Sequence, residues 1–428
     1  MSPSAREVAL ELVRRVADEG AYSNRLLPAL LSRSHLDERD RAFATELAYG
    51  TLRRVPELDA AVAASSSRPV ARMTPGARAA LRLGAYQLLH MRIPPHAAVG
   101  ETVGLLPRRE RGFVNAILRR ISERPAEPST SDDDDALSVR SGMAPWAIAE
   151  LRRLLPPDEV ERAALAFGER ARLTLRVNTC RTTVEDAIDG LRAAGLQPAI
   201  GAVHPECLVL PGGDPTRVPG WREGWFAVQD QASAFVVEAL EPRSGDRVLD
   251  VCAAPGGKTA FAACRVGADG TVVAADRHAD RAALIPPALT RLGIGALVLA
   301  QDATHPAIGG SFDRVLVDAP CSGLGAARRR PELLWRPRRD ALSRLARLQV
   351  AIVTASTDLL RPGGRLVYSV CTFPRAETEA AADAIVRHRP DLRPLETEGP
   401  DGSATRHRLW PHRHGTDGMF VAAFERRT

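Results

Sequence analysis

Four aspartates and two cysteines in this chain have types and spacings that could do chemistry. Asp250 lies at the strand end of "RVLDVCA", Asp276 ends "TVVAAD" 26 residues later, and Asp302 follows "ALVLAQ" after another 26. "RVLVDAPCSGLG" carries Asp318 and Cys321, and "RLVYSVCTFPRAE" carries Cys371. Short apolar runs alternating with helical stretches argue for a parallel, doubly wound sheet. Ligands of such sheets bind outside the carboxyl ends of the strands, where the strand order reverses. A carboxylate after the second strand can accept both hydroxyls of a ribose, and one after the third can reach an adenine amino group. Helix capping explains any one of these aspartates; it does not explain three in register around one crevice.

The loop "DVCAAPGGKT" (250–259) resembles a phosphate loop with a part missing. A Walker A loop needs GxxxxGK[ST], but Cys252 stands where its first glycine belongs, and GxGxxG is also absent. The turn Ala253-Ala254-Pro255-Gly256-Gly257 is small enough for backbone to approach a ligand closely. Together these features suit a nucleoside without phosphates, such as S-adenosylmethionine. Lys258 is the only lysine in the chain. Retained among arginines, it implies a need for a compact ammonium.

The two cysteines after the fourth and fifth strands should point into the same crevice. A thiol is largely protonated at neutral pH, so a nucleophilic one needs an electropositive or hydrogen-bonded setting. A thiolate beside an activated methyl group suggests methylation of a pyrimidine at carbon 5. Addition at carbon 6 makes carbon 5 nucleophilic, an acid such as Asp318 near ring N3 assists, and a base then removes the C5 proton. These residues alone do not say which cysteine attacks. Cys180, Cys207 and Cys264 read as ordinary buried cysteines. No CxxC pair occurs, which argues against zinc and against a disulfide framework.

The elements that must position these groups fall into segments of 428 residues with net charge +6 and pI near 9.3. Residues 4–124 read as all helix, with apolar residues at helical spacing in "SAREVALELVRRVADE", and hold 20 arginines against 13 acids. "PAEPSTSDDDDALS" reads as a solvated acidic linker rather than a calcium loop. The expected domains are 1–125 helical, 126–141 linker, 142–240 a small α/β subdomain and 241–428 the doubly wound domain. In 142–240, helices are expected near 145–155, 158–170 and 183–194, with strands in "LTLRVNT" and "CLVLP". No stretch approaches a membrane span, and the N-terminus is charged throughout, so a cytoplasmic protein without a membrane partner is expected.

"DVCAAPGGKT", "DAPCSGLG", "RRRPELLWR" and "YSVCTF" together resemble the Sun/RsmB family of bacterial 16S ribosomal RNA cytosine-5 methyltransferases. "LAYGTLRR" and "GFVNAILRR" resemble that family's NusB-like RNA-binding domain, and "LTLRVNT" its middle subdomain. The resemblance implies a Rossmann-like class I methyltransferase domain preceded by a small α/β subdomain and an all-α NusB-like domain. It implies S-adenosylmethionine as cofactor, held by Cys252, Ala253, Ala254, Pro255, Gly256, Gly257 and Lys258, with Asp276 on the ribose, Asp302 on the adenine side and Asp318 between cofactor and base. It further implies Cys371 as nucleophile, Cys321 in product release, 16S ribosomal RNA as partner, no metal and a monomer. Val370, Arg330 and Gly100 depart from the family pattern, the first two close to the expected chemistry.

Arg328, Arg329, Arg330, Arg336, Arg338, Arg339, Arg344 and Arg347 crowd the stretch after Cys321 with only Glu332 and Asp340 to balance them. This run is expected to hold RNA phosphates, Trp335 is a candidate for base stacking, and "RHRLWPHRHG" is a second basic candidate. Competing readings are a methyltransferase for transfer or other RNA, a non-catalytic RNA-binding or antitermination factor, and, weakest, an NTPase.

Overall fold

A computed structural model describes residues 3–125 and 129–427. The chain forms two compact units, Met1–Glu169 with Ala327–Pro337, and Arg170–Ala326 with Arg338–Thr428. Among the described residues no helix is long and apolar enough to cross a membrane.

The first unit is helical: α1 (Ala5–Asp18), α2 (Ser23–Arg33), α3 (Glu38–Arg53), α4 (Val55–Ser65), α5 (Pro75–His90), α6 (Pro95–Gly104), α7 (Arg108–Glu123), α8 (Asp134–Ser141), α9 (Pro145–Leu154) and α10 (Pro157–Gly168). Local sequence explains their limits. Ser4 and Glu7 form a capping box at the start of α1, and Ala5, Val8, Ala9, Leu12, Val13 and Val16 bury one face of it. The acidic stretch is not merely a linker. Asp133 caps α8 by accepting from Ala136 N, and Ala136 and Leu137 are buried. Four aspartates at a helix start are favoured by the helix dipole, which the composition argument overlooked. The part of that stretch at 126–128 lies outside the described residues. By compactness, helices α9 and α10 group with the helical unit.

The segment Ala327–Pro337 also belongs to the helical unit, which corrects the reading of the arginine run. Trp335 packs against the helical core and donates from Nε1 to Leu52 O at 2.9 Å. Arg336 donates to the carbonyls of Val16, Gly20 and Ala21 at the end of α1. Fully buried Glu332 accepts from both the N–H and the hydroxyl of Ser23, at the start of α2. Arg328 is buried as well. These residues complete helix ends and a core; only Arg338, Arg339, Arg344 and Arg347 of the run are exposed.

The second unit opens with β1 (Leu173–Val177), α11 (Val184–Ala193), β2 (Ala199–Ile200), β3 (Cys207–Leu210) and β4 (Phe226–Val228), forming an antiparallel sheet in the order β2-β3-β1-β4. After α12 (Gln231–Leu240) come β5 (Arg247–Asp250), α13 (Gly257–Val266), β6 (Thr271–Asp276), α14 (Ala279–Ala282), α15 (Ile285–Leu292), β7 (Leu297–Ala300) and β8 (Phe312–Asp318). The chain ends with α16 (Leu342–Thr357), β9 (Leu360–Val370), α17 (Glu379–His388), β10 (Leu392–Leu395), β11 (Arg406–Leu409), α18 (Pro411–His414) and β12 (Met419–Arg426). The large sheet runs β10-β12-β9-β8-β5-β6-β7, with β11 on β12. Strands β5 to β9 are parallel and β12 is antiparallel to β9. This is the expected Rossmann-like, mostly parallel sheet, and its order reverses at β5 and β8.

Alternation along the strands builds a core on each face. Leu249, Val315, Val317, Leu366 and Tyr368 pack on one side, and Val248, Leu316, Val367 and Val421 on the other. Val370, fully buried, belongs to the first of these clusters, so its departure from the family pattern lies in packing rather than facing the chemistry. Arg406 and Arg408 of the second basic stretch pair with Asp383 and Glu379, and Trp410 is buried, so that stretch is structural as well. Cys180, in the turn after β1, forms a disulfide with Cys264 on α13. With a sequence separation of 84, no local pattern announced the bond.

Candidate active site

The switch point collects the groups singled out above. Asp250 ends β5 buried, with Oδ2 accepting from Thr259 at 2.8 Å, and burial pushes its carboxyl up to about 7. The following turn crosses the strand ends: Val251 N donates to Leu316 O, and Ala253 N to Ala275 O. Gly256 has φ +103° and sits against Ile285, so any side chain there would be strained. Cys252 is a protonated thiol, since burial and the charges of Asp250, Asp318 and Asp276 all push it up.

Lys258, at the start of α13, donates to Asp318 Oδ2 at 2.7 Å and to Ser233 Oγ at 3.2 Å. Burial alone would lower the lysine, but Asp318 outweighs it and holds the ammonium above its ordinary range. The other Asp318 oxygen accepts from Ser369 at 2.8 Å. Ser369 is paired with Asp318 in the β8–β9 register and stands two residues before Cys371.

The two thiols meet: Cys321 Sγ and Cys371 Sγ are 3.5 Å apart. Cys371 and burial push the Cys321 thiol well above its ordinary value, so it is protonated beside its neighbour. The charge of Cys371 also helps to hold the Lys258 ammonium up. Gly325 N donates to Cys371 O, and Gly325 O accepts from Gly418 N. A Cβ at Gly325 would collide with that Gly418 carbonyl, so the second glycine of "CSGLG" is a close-approach requirement.

The remaining acids follow on neighbouring strands. Asp276, at the end of β6, is buried and pairs with Arg281 at 3.3 Å, and Arg281 also donates to Ala254 O. Asp302, after β7, accepts from the N–H and hydroxyl of Thr304 and pairs with Arg277 at 3.3 Å. The two thiols contact each other and Lys258 contacts Asp318, whereas Asp302 stands two strands from β5 and is tied to its own loop. Sequence reasoning missed Ser233, Ser369, Arg277 and Arg281. The uniqueness of Lys258 was the signal for its pair with Asp318.

The crevice fits S-adenosylmethionine. Its cations Lys258, Arg277 and Arg281 are each paired with a carboxylate, which suits a sulfonium nucleoside and not a triphosphate. A Cβ at Gly257 would meet only the end of Gln229, 3.9 Å away, which leaves room over the turn.

Comparison with known proteins decides the relationship. Ribosomal RNA small subunit methyltransferase B of Vibrio cholerae is 34% identical over 435 residues, spanning 99% of this chain and 98% of that protein. This chain belongs to the RsmB/F family. A candidate methyltransferase of Mycobacterium tuberculosis, Rv1407, is 39% identical over 449 residues, 99% of this chain and 97% of that protein. The profile described as 16S rRNA methyltransferase RsmB/F matches residues 237–425, the NusB family profile residues 3–123, and the RsmF/B ferredoxin-like domain residues 143–216. The crystal structure of PH0851 superposes with a TM-score of 0.84 at 26% identity, covering 100% of both chains. As an RsmB/F member the chain is an S-adenosylmethionine-dependent methyltransferase.

Proposed function

We propose that this enzyme methylates carbon 5 of a cytosine in 16S ribosomal RNA through a covalent cysteine–C6 adduct. The observation that carries the reading is the pair of thiols 3.5 Å apart beside Lys258 and Asp318. The name of the Vibrio cholerae relative supports the ribosomal substrate. Residues 252–258 and Asp276 hold the cofactor, Asp302 lies on its adenine side, and Asp318 lies between cofactor and target base.

When bound, S-adenosylmethionine supplies an electrophilic methyl group on sulfur. Cys371 releases its proton to solvent and the resulting thiolate sulfur adds to C6, moving the C5=C6 electrons toward C5. The Lys258–Asp318 pair holds a shared proton for ring N3, which gains basicity in that addition. After transfer Cys321, having first released to solvent the proton it carries in the resting enzyme, takes the C5 proton, the C5–H electrons restore the double bond, and Cys371 leaves as thiolate. The target base must leave any stack to meet both thiols, at a cost of a few kcal/mol.

Cys371→Ala is expected to abolish tritiated-methyl transfer to ribosomal RNA while calorimetric affinity for S-adenosylmethionine stays near wild type. Wild-type turnover in that variant would refute the assignment. Cys321→Ala is expected to leave a protein–RNA adduct on a denaturing gel; an inactive variant without adduct would mean that the two cysteines have exchanged roles. Bisulfite sequencing of ribosomal RNA from a strain lacking the gene should show one lost 5-methylcytosine.

A further inference from the structure

Glu377 takes no part in the chemistry above, yet it is fully buried six residues after Cys371. Its Oε1 accepts from the N–H of Ser322 at 2.9 Å and from Nε2 of Gln349 at 3.0 Å. The same Gln349 amide donates to Pro320 O at 3.0 Å. Pro320 and Ser322 flank Cys321, so one Gln–Glu pair grips the carbonyl before that cysteine and the amide after it.

The grip extends to the second cysteine. The hydroxyl of Tyr368, three residues before Cys371, lies 2.9 Å from Gln349 Oε1 and 2.6 Å from Glu377 O. Ser322 Oγ and Thr372 Oγ1, each one residue beyond a cysteine, are 2.7 Å apart. The spacing of the two thiols is therefore fixed from behind by a single buried cluster. Glu377 Oε2 is buried without a hydrogen-bond partner among the described residues. Burying an unmatched carboxylate oxygen is unfavourable and calls for a compensating role. That role is the other oxygen, on which two donors from different elements converge.

We propose that Glu377 is a positioning residue for product release, holding Cys321 over C5 while Cys371 remains on C6. The inference rests on the cysteine roles proposed above. Release breaks the C5–H and C6–S bonds together with re-formation of the C5=C6 double bond. The proton acceptor must therefore keep its place relative to the departing sulfur.

The test follows the covalent adduct on denaturing gels, the rate of product release, and cofactor affinity by calorimetry. Glu377→Ala should bind S-adenosylmethionine like wild type, accumulate adduct and release product about tenfold more slowly or worse, since buried donors lose their acceptor. Gln349→Met removes both amide donors without a cavity and should do the same, which keeps the test alive if Glu377→Ala does not fold. Glu377→Gln keeps an acceptor for Ser322 N and should restore release to within about threefold of wild type. Wild-type release without adduct in Glu377→Ala or Gln349→Met, or a Glu377→Gln as slow as Glu377→Ala, overturns the proposal. If Cys321→Ala traps adduct and these variants do not, only the Glu377 inference falls. If Cys321→Ala traps none, the cysteine roles fall and this inference with them.

Discussion

Lys258 donates to Asp318 at 2.7 Å, and that single contact ties the start of α13 to the end of β8 across the sheet's switch point. The lysine side chain is 13% exposed and the aspartate 28%, so water screens the pair only in part. Lys258→Met leaves the carboxylate without its cation and should lower stability by about 2 kcal/mol, less than a fully buried pair would lose. Urea unfolding measures the loss. Methyl transfer should disappear too, and a Lys258→Met enzyme with normal turnover would remove the pair from the mechanism.

Asp250 gives the fold a predictable pH dependence. Burial raises its carboxyl from 3.8 to about 7, so between those values the native state binds more protons than the unfolded chain. The associated stability is present below 3.8 and declines as pH rises toward 7. Asp250→Asn keeps an acceptor for Thr259 and removes the titration. Its urea midpoint should gain on wild type progressively across that window, and a constant difference would show that Asp250 does not titrate there.

The Cys180–Cys264 bond closes a loop with a sequence separation of 84. Constraining a loop of that size in the unfolded chain is worth up to about 4 kcal/mol in the chain-entropy model. Cys180→Ser should unfold at lower urea than wild type, and the gap should vanish when wild type is measured with a thiol reductant. Equal midpoints without reductant would mean that the bond contributes no stability.

Two residues of the arginine-rich stretch should separate cleanly. Trp335→Ala removes a ring from the helical core and its bond to Leu52 O, and should cost about 3 kcal/mol of stability. Arg344→Ala, at an exposed position, should leave the unfolding midpoint alone and weaken RNA binding, reducing the slope of log affinity against log salt by about 1. A stable Trp335→Ala, or an Arg344→Ala with unchanged salt slope, contradicts this division.

The sheet was readable because β5, β6, β8, β12 and the second half of β9 carry short, mainly apolar runs. Strands β10 and β11, "LRPL" and "RHRL", escaped notice because arginine and proline interrupt them at the antiparallel edge. Asp250, Asp318, Cys321 and Cys371 announced themselves by lying at or just after strand ends, and Lys258 by being the chain's only lysine. Gln349 and Glu377 did not, because a buried carboxyl that grips backbone looks in sequence like any surface acid. For the same reason Arg336, which satisfies carbonyls at the end of α1, passed for a phosphate ligand.

The docking of Ala327–Pro337 within the helical unit bears on how the protein can be made and divided. A ribosome that has finished Glu169 has not yet supplied Trp335, Arg336 or Glu332, so the N-terminal unit completes its own interior only once much of the following unit has been synthesised. A fragment cut after the acidic stretch would emerge with a gap beside Leu52 and uncapped carbonyls at the end of α1. The N-terminal unit is therefore not a severable module, although the domain profiles place its boundary well before residue 327.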